Sequence, residues 1–381
     1  MPATPQISIV FPTYKRPSEV ILTLELLRKN LSLPWEAIIL DNSPEPSGDF
    51  AAANVKCIFM DGNQGTFARN RGIAEASAPF LLMLDDDSHP LPGSVEAAVN
   101  LLRKSPAEIG GINSRVERLD ASRENTPLLP TVFHGCGTLF RTELLKKLTP
   151  FYPDKFCFYG EEYWSTLRLY RSGSRLLYLD SFRVCHRFSS SGRSVAEILY
   201  RLTLNNRLTW PALTPPRYLE KVSYDTMRRY ELICAKENVR ESFSRAISEK
   251  LEASPADAEG PLSVAQFENF SLLSEFRRLV REGQLSTKAP LVLCGCGKFP
   301  TLWRAELLEM GLPEVDFGDF NTGLIGQAYG DSRVLGPDGI LEKVQKGWQA
   351  LCGQGARADA LRWEEFFSQH GGPAPVRIIP L

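Results

Sequence analysis

An α/β fold built on a mostly parallel sheet flanked by helices is predicted for the first half of this chain, from three observations. The apolar run Phe80-Leu81-Leu82-Met83-Leu84 reads as a strand buried on both faces. It runs straight into Asp85-Asp86-Asp87, and strands of that kind present functional groups at their carboxyl ends. Between residues 7 and 84 the segments follow the order strand, helix, strand, strand, helix, strand, which implies parallel strands covered by helices.

The elements follow in order. Ile7-Ser8-Ile9-Val10-Phe11 is a strand closed by Pro12, and Thr13 to Pro17 is a loop. Ser18 is expected to cap a helix from Glu19 to Asn30, with Val20, Leu24 and Leu27 at helical spacing. Pro34 precedes the strand Glu36 to Leu40, which ends at Asp41-Asn42-Ser43, and a loop rich in Pro, Gly and Ser follows. Val55 to Met60 is a third strand, Asp61 to Gly65 a turn, and Thr66 to Ala76 a helix. Thr13, Asp41 and Asp85 to Asp87 therefore stand at the carboxyl ends of parallel strands, along one edge of the sheet, where a pocket forms. Three adjacent carboxylates repel one another and are tolerable where a cation or many donors neutralise them. Hard divalent cations such as Mg²⁺ and Mn²⁺ suit carboxylate oxygen and commonly share it with phosphates. A solvated acidic turn or a helix cap is the plainer alternative.

Composition sets the outer bounds. A chain of 381 residues suggests two domains, or one large domain with an appendage. A net charge of -1 gives no global attraction to nucleic acid or anionic lipid. No apolar run approaches the ~20 residues needed to span a bilayer, and Met1 to Pro5 lacks the pattern of a signal peptide. The eight cysteines include no CxxC pair, so they read as reduced core residues of a cytoplasmic protein, with a position peripheral to a membrane left open.

At this point the residues resemble a known family. ISIVFPTYKRP, IILDNSP and DGNQGTFARNRGIAEASAPFLLMLDDDS are similar to the donor-binding half of family 2 glycosyltransferases, which have the GT-A fold. HGCGTLFRTELL resembles that family's Gly-rich strand and helix behind the donor sugar, and FYGEEYWSTLRLYRSGSRLLYLDSFRVCH its acidic helix followed by a strand and a histidine. The likeness covers roughly residues 6 to 195. It implies that Pro12, Thr13, Tyr14 and Arg16 contact the nucleoside and that Asp41 reads uracil, which favours UDP. Asn63, Gly65, Arg69 and Asn70 match the family's Asn-x-Gly and Ala-Arg-Asn pattern beside the diphosphate. Asp85 is then expected at the ribose, Asp86 at the variable centre, and Asp87 on a Mn²⁺ or Mg²⁺ ion, with His186 as a further ligand. Where the family has Glu-Asp this chain has Glu161-Glu162. The resemblance gives Glu162 the role of general base in a single displacement with inversion, and Glu161 is the fallback.

Each of these residues also has a plainer role. Asp41 can cap the turn after it, Arg69 can form a surface ion pair, and Asn70 and Arg71 can be a solvated helix face. Glu161 and Glu162 can simply favour a helix start through the macrodipole. Trp164 can stack on a sugar, although core packing is commoner, and His134, beside Gly135 and Gly137, is as readily structural as part of the donor wall.

Beyond residue 187 the loop Arg187 to Ser194 is either a lid or a connection. Val195 to Trp210 reads as a helix broken at Pro211 to Pro216. Tyr218 to about Leu251 and Leu262 to Arg281 read as mainly helical, with a break at Ala253 to Ala256. The basic pairs Arg228-Arg229 and Arg277-Arg278 read as solvated helix faces. From about Lys288 a strand, a Gly295-Cys296-Gly297 turn and a helix begin a small Rossmann-like α/β domain, completed by segments near Val315, Arg333 and Pro337, a helix from about Asp359 and a final strand Val376 to Ile379. Gly295, Gly297 and Asp316 or Asp319 form either a nucleotide loop or a tight turn used for packing, acceptor recognition or homo-oligomerisation.

The organisation expected is thus a catalytic domain over 1–195, a helical linker or acceptor-side subdomain over 196–287, and an α/β domain over 288–381. The activity expected is metal-dependent, inverting glycosyl transfer from a nucleotide-diphosphate sugar to a hydroxyl of a glycan, lipid-linked saccharide, protein or small molecule, with no nucleic-acid partner. The alternatives are a sugar nucleotidyltransferase, which does not need the Glu161-Glu162 helix or His186, and a non-catalytic carbohydrate- or nucleotide-sugar-binding scaffold.

Overall fold

The first strand does not stop at Pro12. In the computed structural model β1 spans Ile7–Thr13, with Pro12 opposite Leu40 and Thr13 opposite Asp41 of the parallel β2, Trp35–Asp41. The pairing thus carries Thr13 and Asp41 to the same level of the sheet edge. The structure describes residues 4–50, 52–124, 128–154, 156, 158–187, 194–251, 260–354 and 357–378. Residues 188–193 of the expected lid or connection, and the expected break at 253–256, lie outside them. The chain divides into two compact units, Met1–Glu124 with Phe133–Gly192, and Asn125–Val132 with Arg193–Leu381.

In the first unit, α1 (Pro17–Asn30) follows β1. β3 (Val55–Phe59) precedes one turn of 3₁₀ helix, Gly65–Ala68, and α2, Arg69–Glu75, so the helix expected from Thr66 is tighter in its first turn. β4 (Phe80–Met83), β5 (Ser88–Pro90), α3 (Ser94–Lys104), β6 (Ile109–Glu117), β7 (Thr138–Arg141), α4 (Thr142–Lys147), α5 (Glu161–Arg171) and β8 (Arg175–His186) complete it. The sheet order is β3-β2-β1-β4-β7-β6-β8-β5. β7 is antiparallel to both β4 and β6, and β5 to β8; the other pairs are parallel. Only β7 and β5 therefore run against the rest, and the carboxyl ends of β1, β2 and β4 share one edge.

Periodicity explains the cover on this sheet. Ile7, Ile9, Phe11, Ile39, Leu82 and Leu84 pack in one core cluster with Val20, Leu24 and Leu27 of α1 and Val95, Val99 and Leu102 of α3. Fully burying each such side chain is worth about 1.5–3 kcal/mol.

The second unit begins with α6, Val195–Leu213. Pro211 lies inside it and does not end it at Trp210, because a proline in the last turn removes a single helical hydrogen bond. α7 (Pro216–Lys236) starts with proline at its first position, where the missing N–H is not needed. Asn238 then adopts φ 57, the left-handed geometry that ends helices, so α8 (Arg240–Ser248) is separate from α7. Leu272, at φ 69, likewise separates α9 (Val264–Phe270) from α10 (Leu273–Arg281). Buried Leu129, Thr131 and Val132 belong to this unit, and Thr131 Oγ1 donates to the carbonyl of Phe270 at 2.8 Å.

β9 (Leu291–Cys294), α11 (Pro300–Glu309), β10 (Val315–Gly318), a short β11–β12 hairpin (Ala328–Tyr329, Ser332–Arg333), α12 (Pro337–Gln345), β13 (Gln349–Cys352), α13 (Arg357–Gln369) and β14 (Val376–Arg377) follow. Strands β10-β9-β13-β14 form an all-parallel sheet, the Rossmann-like arrangement expected. Of the basic pairs, Arg278 stays on a helix face, paired with Glu275 and Glu282 of the same stretch, whereas the other three are tied to other elements. Arg228 and Arg229 donate to the carbonyls of Ala328 and Gly297, and Arg277 pairs with Glu268 and Glu306.

Candidate active site

The site is built at the carboxyl edge of β1, β2 and β4. Thr13 Oγ1, at the end of β1, donates to Asp86 Oδ2 at 2.8 Å. Arg16 spans two carboxylates, with Nη1 on Asp86 Oδ1 at 2.7 Å and Nη2 on Asp87 Oδ2 at 3.0 Å. The backbone carbonyl of Asp86 accepts from Thr23 Oγ1 and from Arg187 Nη2, at 2.6 and 3.0 Å. The triple aspartate is thus held by protein donors, Arg16 and Thr13 on two of its members and Arg69 on the third. Burial pushes the Asp86 carboxyl up to about 7, against the opposing influence of Arg16 and Thr13.

Asp85 is the most open of the three. Its side chain is 36% exposed, against 7% for Asp86 and 2% for Asp87. It pairs with Arg69, which also donates to the Leu84 carbonyl at 3.0 Å and to Tyr152 Oη at 3.5 Å. Arg69 is 2% exposed, so it forms a buried ion pair that orients Asp85 and not the surface pair considered from sequence. Asn70 is equally committed: it exchanges hydrogen bonds with the backbone of Tyr152, at 2.8 and 2.9 Å. Asn63 accepts from the Gly65 N–H at 3.0 Å, while Asn42 takes the Gln64 N–H and donates to the Gly65 carbonyl, fixing that loop to the end of β2.

Asp41 caps its turn. It accepts from the Ser43 N–H (3.1 Å), the Ser47 N–H (2.7 Å) and Ser47 Oγ (3.0 Å), and it is 1% exposed. Burial alone would raise its pKa, but these hydrogen bonds outweigh it and hold the carboxyl below its ordinary value. Tyr14 is 41% exposed, with Lys15 Nζ 5.3 Å from its ring centre, and the Lys15 N–H donates to Ser43 Oγ of that turn at 2.8 Å.

Glu161 and Glu162 open α5 as expected, directly after Tyr159 and Gly160, both at positive φ. Glu161 is 5% exposed and takes a hydrogen bond from Thr66. Glu162 is half-buried. A Cβ built on Gly135 would lie 3.2 Å from Arg69 Nη1 and 3.6 Å from Glu162 Oε1, so Glu162 and the Arg69–Asp85 pair border the same glycine wall. Burial raises the pKa of both glutamates, Glu161 further through the neighbouring Glu162 charge. Trp164 is 2% exposed and packs edge-on against Phe156 at 5.5 Å, which is the core role. The amide and carbonyl of His134 both bond Thr138 Oγ1.

His186 ends β8 between two carboxylates. Its Nε2 lies 3.3 Å from Asp87 Oδ1, and its Nδ1 lies 2.8 Å from Glu124 Oε2. A divalent cation fits the donors gathered here: oxygen atoms of Asp85 and Asp87, an imidazole nitrogen, and the thiol of Cys136, which lies with Asp85 and His186 in one convergent group. Cys136, Glu124, Asn42 and Tyr152 were not expected at the site. Cys136 stood in plain view between two glycines, but nothing in the segment around Glu124 signals a partner for His186.

A pH dependence follows. Burial alone would lower the His186 pKa, but the charge and hydrogen bonds of Cys136, Asp87 and Glu124 raise it well above its ordinary value. Burial would raise the Asp87 pKa, and His186 and Arg16 instead hold it well below the usual carboxylate range. The protonated pair stabilises the cation-free protein fully between about pH 4 and 6.5; the histidine contribution fades as pH rises beyond that, and the aspartate contribution as pH falls below it. A cation must displace the His186 proton, so Mn²⁺ affinity should rise by up to about tenfold per unit between pH 6 and 8. Calorimetric titration at several pH values measures this, and a flat profile would exclude His186 as a ligand.

In the second unit the Gly295–Pro300 turn is already filled. Asp225 of α7, which is fully buried, accepts from the Thr301 N–H (3.1 Å), Thr301 Oγ1 (2.8 Å) and the Leu302 N–H (3.2 Å) at the start of α11. Asp319 accepts from the Cys296 N–H at 3.0 Å. A Cβ on Gly297 would sit 2.6 Å from the Trp303 ring, so this glycine serves packing. The anion position at the helix start is occupied by a carboxylate of the chain itself, which favours the tight-turn reading over the nucleotide loop.

Residues 8–165 match the family model described as Glycosyl transferase family 2. Two curated relatives are glycosyltransferases by name. One is the uncharacterized glycosyltransferase YwdF of Bacillus subtilis (strain 168), 31% identical over 96 residues, which are 24% of this chain and 36% of the relative. The other is an uncharacterized glycosyltransferase of Haemophilus influenzae (strain ATCC 51907 / DSM 11121 / KW20 / Rd), 33% identical over 107 residues, 26% of this chain and 35% of the relative. The matched stretch spans about a third of the length of each. Among solved structures, that of S. aureus TarS 1-349 in complex with UDP-GlcNAc aligns with a TM-score of 0.47 at 14% identity, over 63% of this chain and 79% of that one. Over residues 8–165, about two-fifths of the chain, the sequence is similar to glycosyl transferase family 2. Among the described residues no helix is long and apolar enough to cross a membrane.

Proposed function

We propose that this protein is a metal-dependent, inverting glycosyltransferase that moves a sugar from a nucleotide-diphosphate donor to an acceptor hydroxyl. Residues 1–195 are its catalytic domain, and residues 196–287 are a helical linker or acceptor-side subdomain. The observation that carries the reading is the single wall shared by Asp85, Arg69, Gly135 and Glu162, next to the edge formed by Thr13, Asp41, Asp86 and Asp87.

On this reading Tyr14 stacks against the base, and Asp41 accepts from a base N–H with the lone pairs its turn leaves over, which favours UDP. Asp87 and His186 hold a Mn²⁺ or Mg²⁺ ion. Bound there, the cation neutralises the charge of the leaving diphosphate. Arg16, now on Asp86 and Asp87, adds positive charge at the same edge. Glu162 takes the proton of the acceptor hydroxyl as its oxygen attacks the anomeric carbon from the face opposite the nucleotide, and inversion follows from that geometry.

Calorimetry with UDP-, GDP- and dTDP-sugars in Mn²⁺, repeated with chelator, tests the donor site. One nucleotide class should bind, and chelator should abolish the binding. No binding of any class with Mn²⁺ present would overturn this reading in favour of a scaffold.

A further inference from the structure

Three side chains of different chemistry aim donor atoms at one point beside the triple aspartate. A carboxylate oxygen of Asp85, the Sγ of Cys136 and a ring nitrogen of His186 lie within 4.8 Å of one another. The scaffold behind each is rigid. Asp85 is gripped by Arg69. His186 is held through Nδ1 by Glu124, which leaves Nε2 to face the cluster, the usual arrangement behind a ligating imidazole.

Cys136 sits in a turn pinned into the sheet on both sides. The Gly137 N–H donates to the Met83 carbonyl at 2.8 Å, and the Gly137 carbonyl accepts from the Ser114 N–H at 2.9 Å. Gly137 itself has φ +104, and a Cβ there would fall 2.3 Å from Ser114 Oγ, so the turn admits only glycine. A cysteine buried for packing alone would meet apolar neighbours. This one meets a carboxylate and an imidazole.

We propose that Cys136 is a metal ligand of this site, joining Asp85 and His186 in a set that prefers a borderline or thiophilic divalent cation, such as Co²⁺, Zn²⁺ or Cd²⁺, over Mg²⁺. The inference rests on the metal-assisted donor site argued above and narrows its cation. As the cation binds, the thiol releases its proton to solvent and the sulfur lone pair forms the new bond, with no change of oxidation state.

The test uses the full chain loaded with Co²⁺ or Cd²⁺, read without activity. The wild-type protein should show a near-ultraviolet sulfur-to-cobalt charge-transfer band, and its cadmium NMR resonance should lie downfield of an oxygen and nitrogen site. Cys136→Ser should abolish both signals and weaken Cd²⁺ binding at least ~10-fold, and Glu124→Gln should weaken it by about 10–100-fold with the sulfur signals retained. The cadmium measurement on wild-type protein stands even where Cys136→Ser fails to fold. A wild-type cadmium resonance at an oxygen and nitrogen position, no Co²⁺ or Cd²⁺ binding at all, or identical spectra in Cys136→Ser would overturn the proposal. A sulfur-ligated cation in a protein that binds no nucleotide sugar would leave this inference standing and remove the donor-site reading.

Discussion

Replacing Glu162 by Gln should lower the rate of glycosyl transfer by about 10²–10⁴-fold, the range for removing a positioned general base, while nucleotide-sugar affinity stays nearly unchanged. The amide keeps the size and one acceptor oxygen of the carboxylate but has no basic site. Glu162 is the better candidate of the pair because it is half-buried and borders the glycine wall, whereas Glu161 is buried and bonded to Thr66. The raised pKa of Glu162 also moves it toward the operating pH, where a base both exists ionised and drives proton transfer. Glu161→Gln is the control, expected to change transfer far less. Turnover and donor affinity measured on both variants decide the matter; unchanged turnover in Glu162→Gln would sink the base role.

The second large effect is on stability. Asp225→Ala should destabilise the second unit by about 3 kcal/mol or more, since it strands three donors at roughly 1–3 kcal/mol each. The stranded groups are the Thr301 N–H, the Thr301 hydroxyl and the Leu302 N–H at the start of α11. Asp225→Asn keeps one acceptor oxygen and should recover part of the loss. Urea unfolding followed by tryptophan fluorescence reports on this unit, which contains Trp210, Trp303, Trp348 and Trp363. A midpoint within error of the wild type would show that water satisfies those donors and that the carboxylate is dispensable.

What could be read from the sequence divides along a physical line. Strands β1, β2 and β4, the triple aspartate and the start of α5 were legible because they rest on local signals: an apolar run, its flanking residues, and a motif of short span. Where a side chain points was not. Arg69 was given to a diphosphate or a surface pair, and its burial against Asp85, Leu84 and Tyr152 depends on residues up to 83 positions away. Asp225 reaches Thr301 across 76 residues, and Glu124 reaches His186 across 62. Neither spacing repeats, so neither leaves a periodic trace. Pro211 shows the opposite failure, a strong local signal overridden because only the last turn of α6 follows it. The Gly295–Gly297 turn was ambiguous in sequence because a phosphate and an aspartate satisfy the same backbone donors.

The short segment 125–132 lies in the sequence between parts of the first unit but belongs with the second, where Thr131 bonds to Phe270. During synthesis on the ribosome that segment emerges well before its hydrogen-bond partner has been polymerised. The nascent chain must therefore carry Thr131 without that partner while about 140 further residues are added, a wait of roughly 7–30 s at usual elongation rates. For the same reason no single cut separates the two units cleanly, and a fragment ending near residue 195 keeps Thr131 while the Phe270 carbonyl it bonds is removed with the rest.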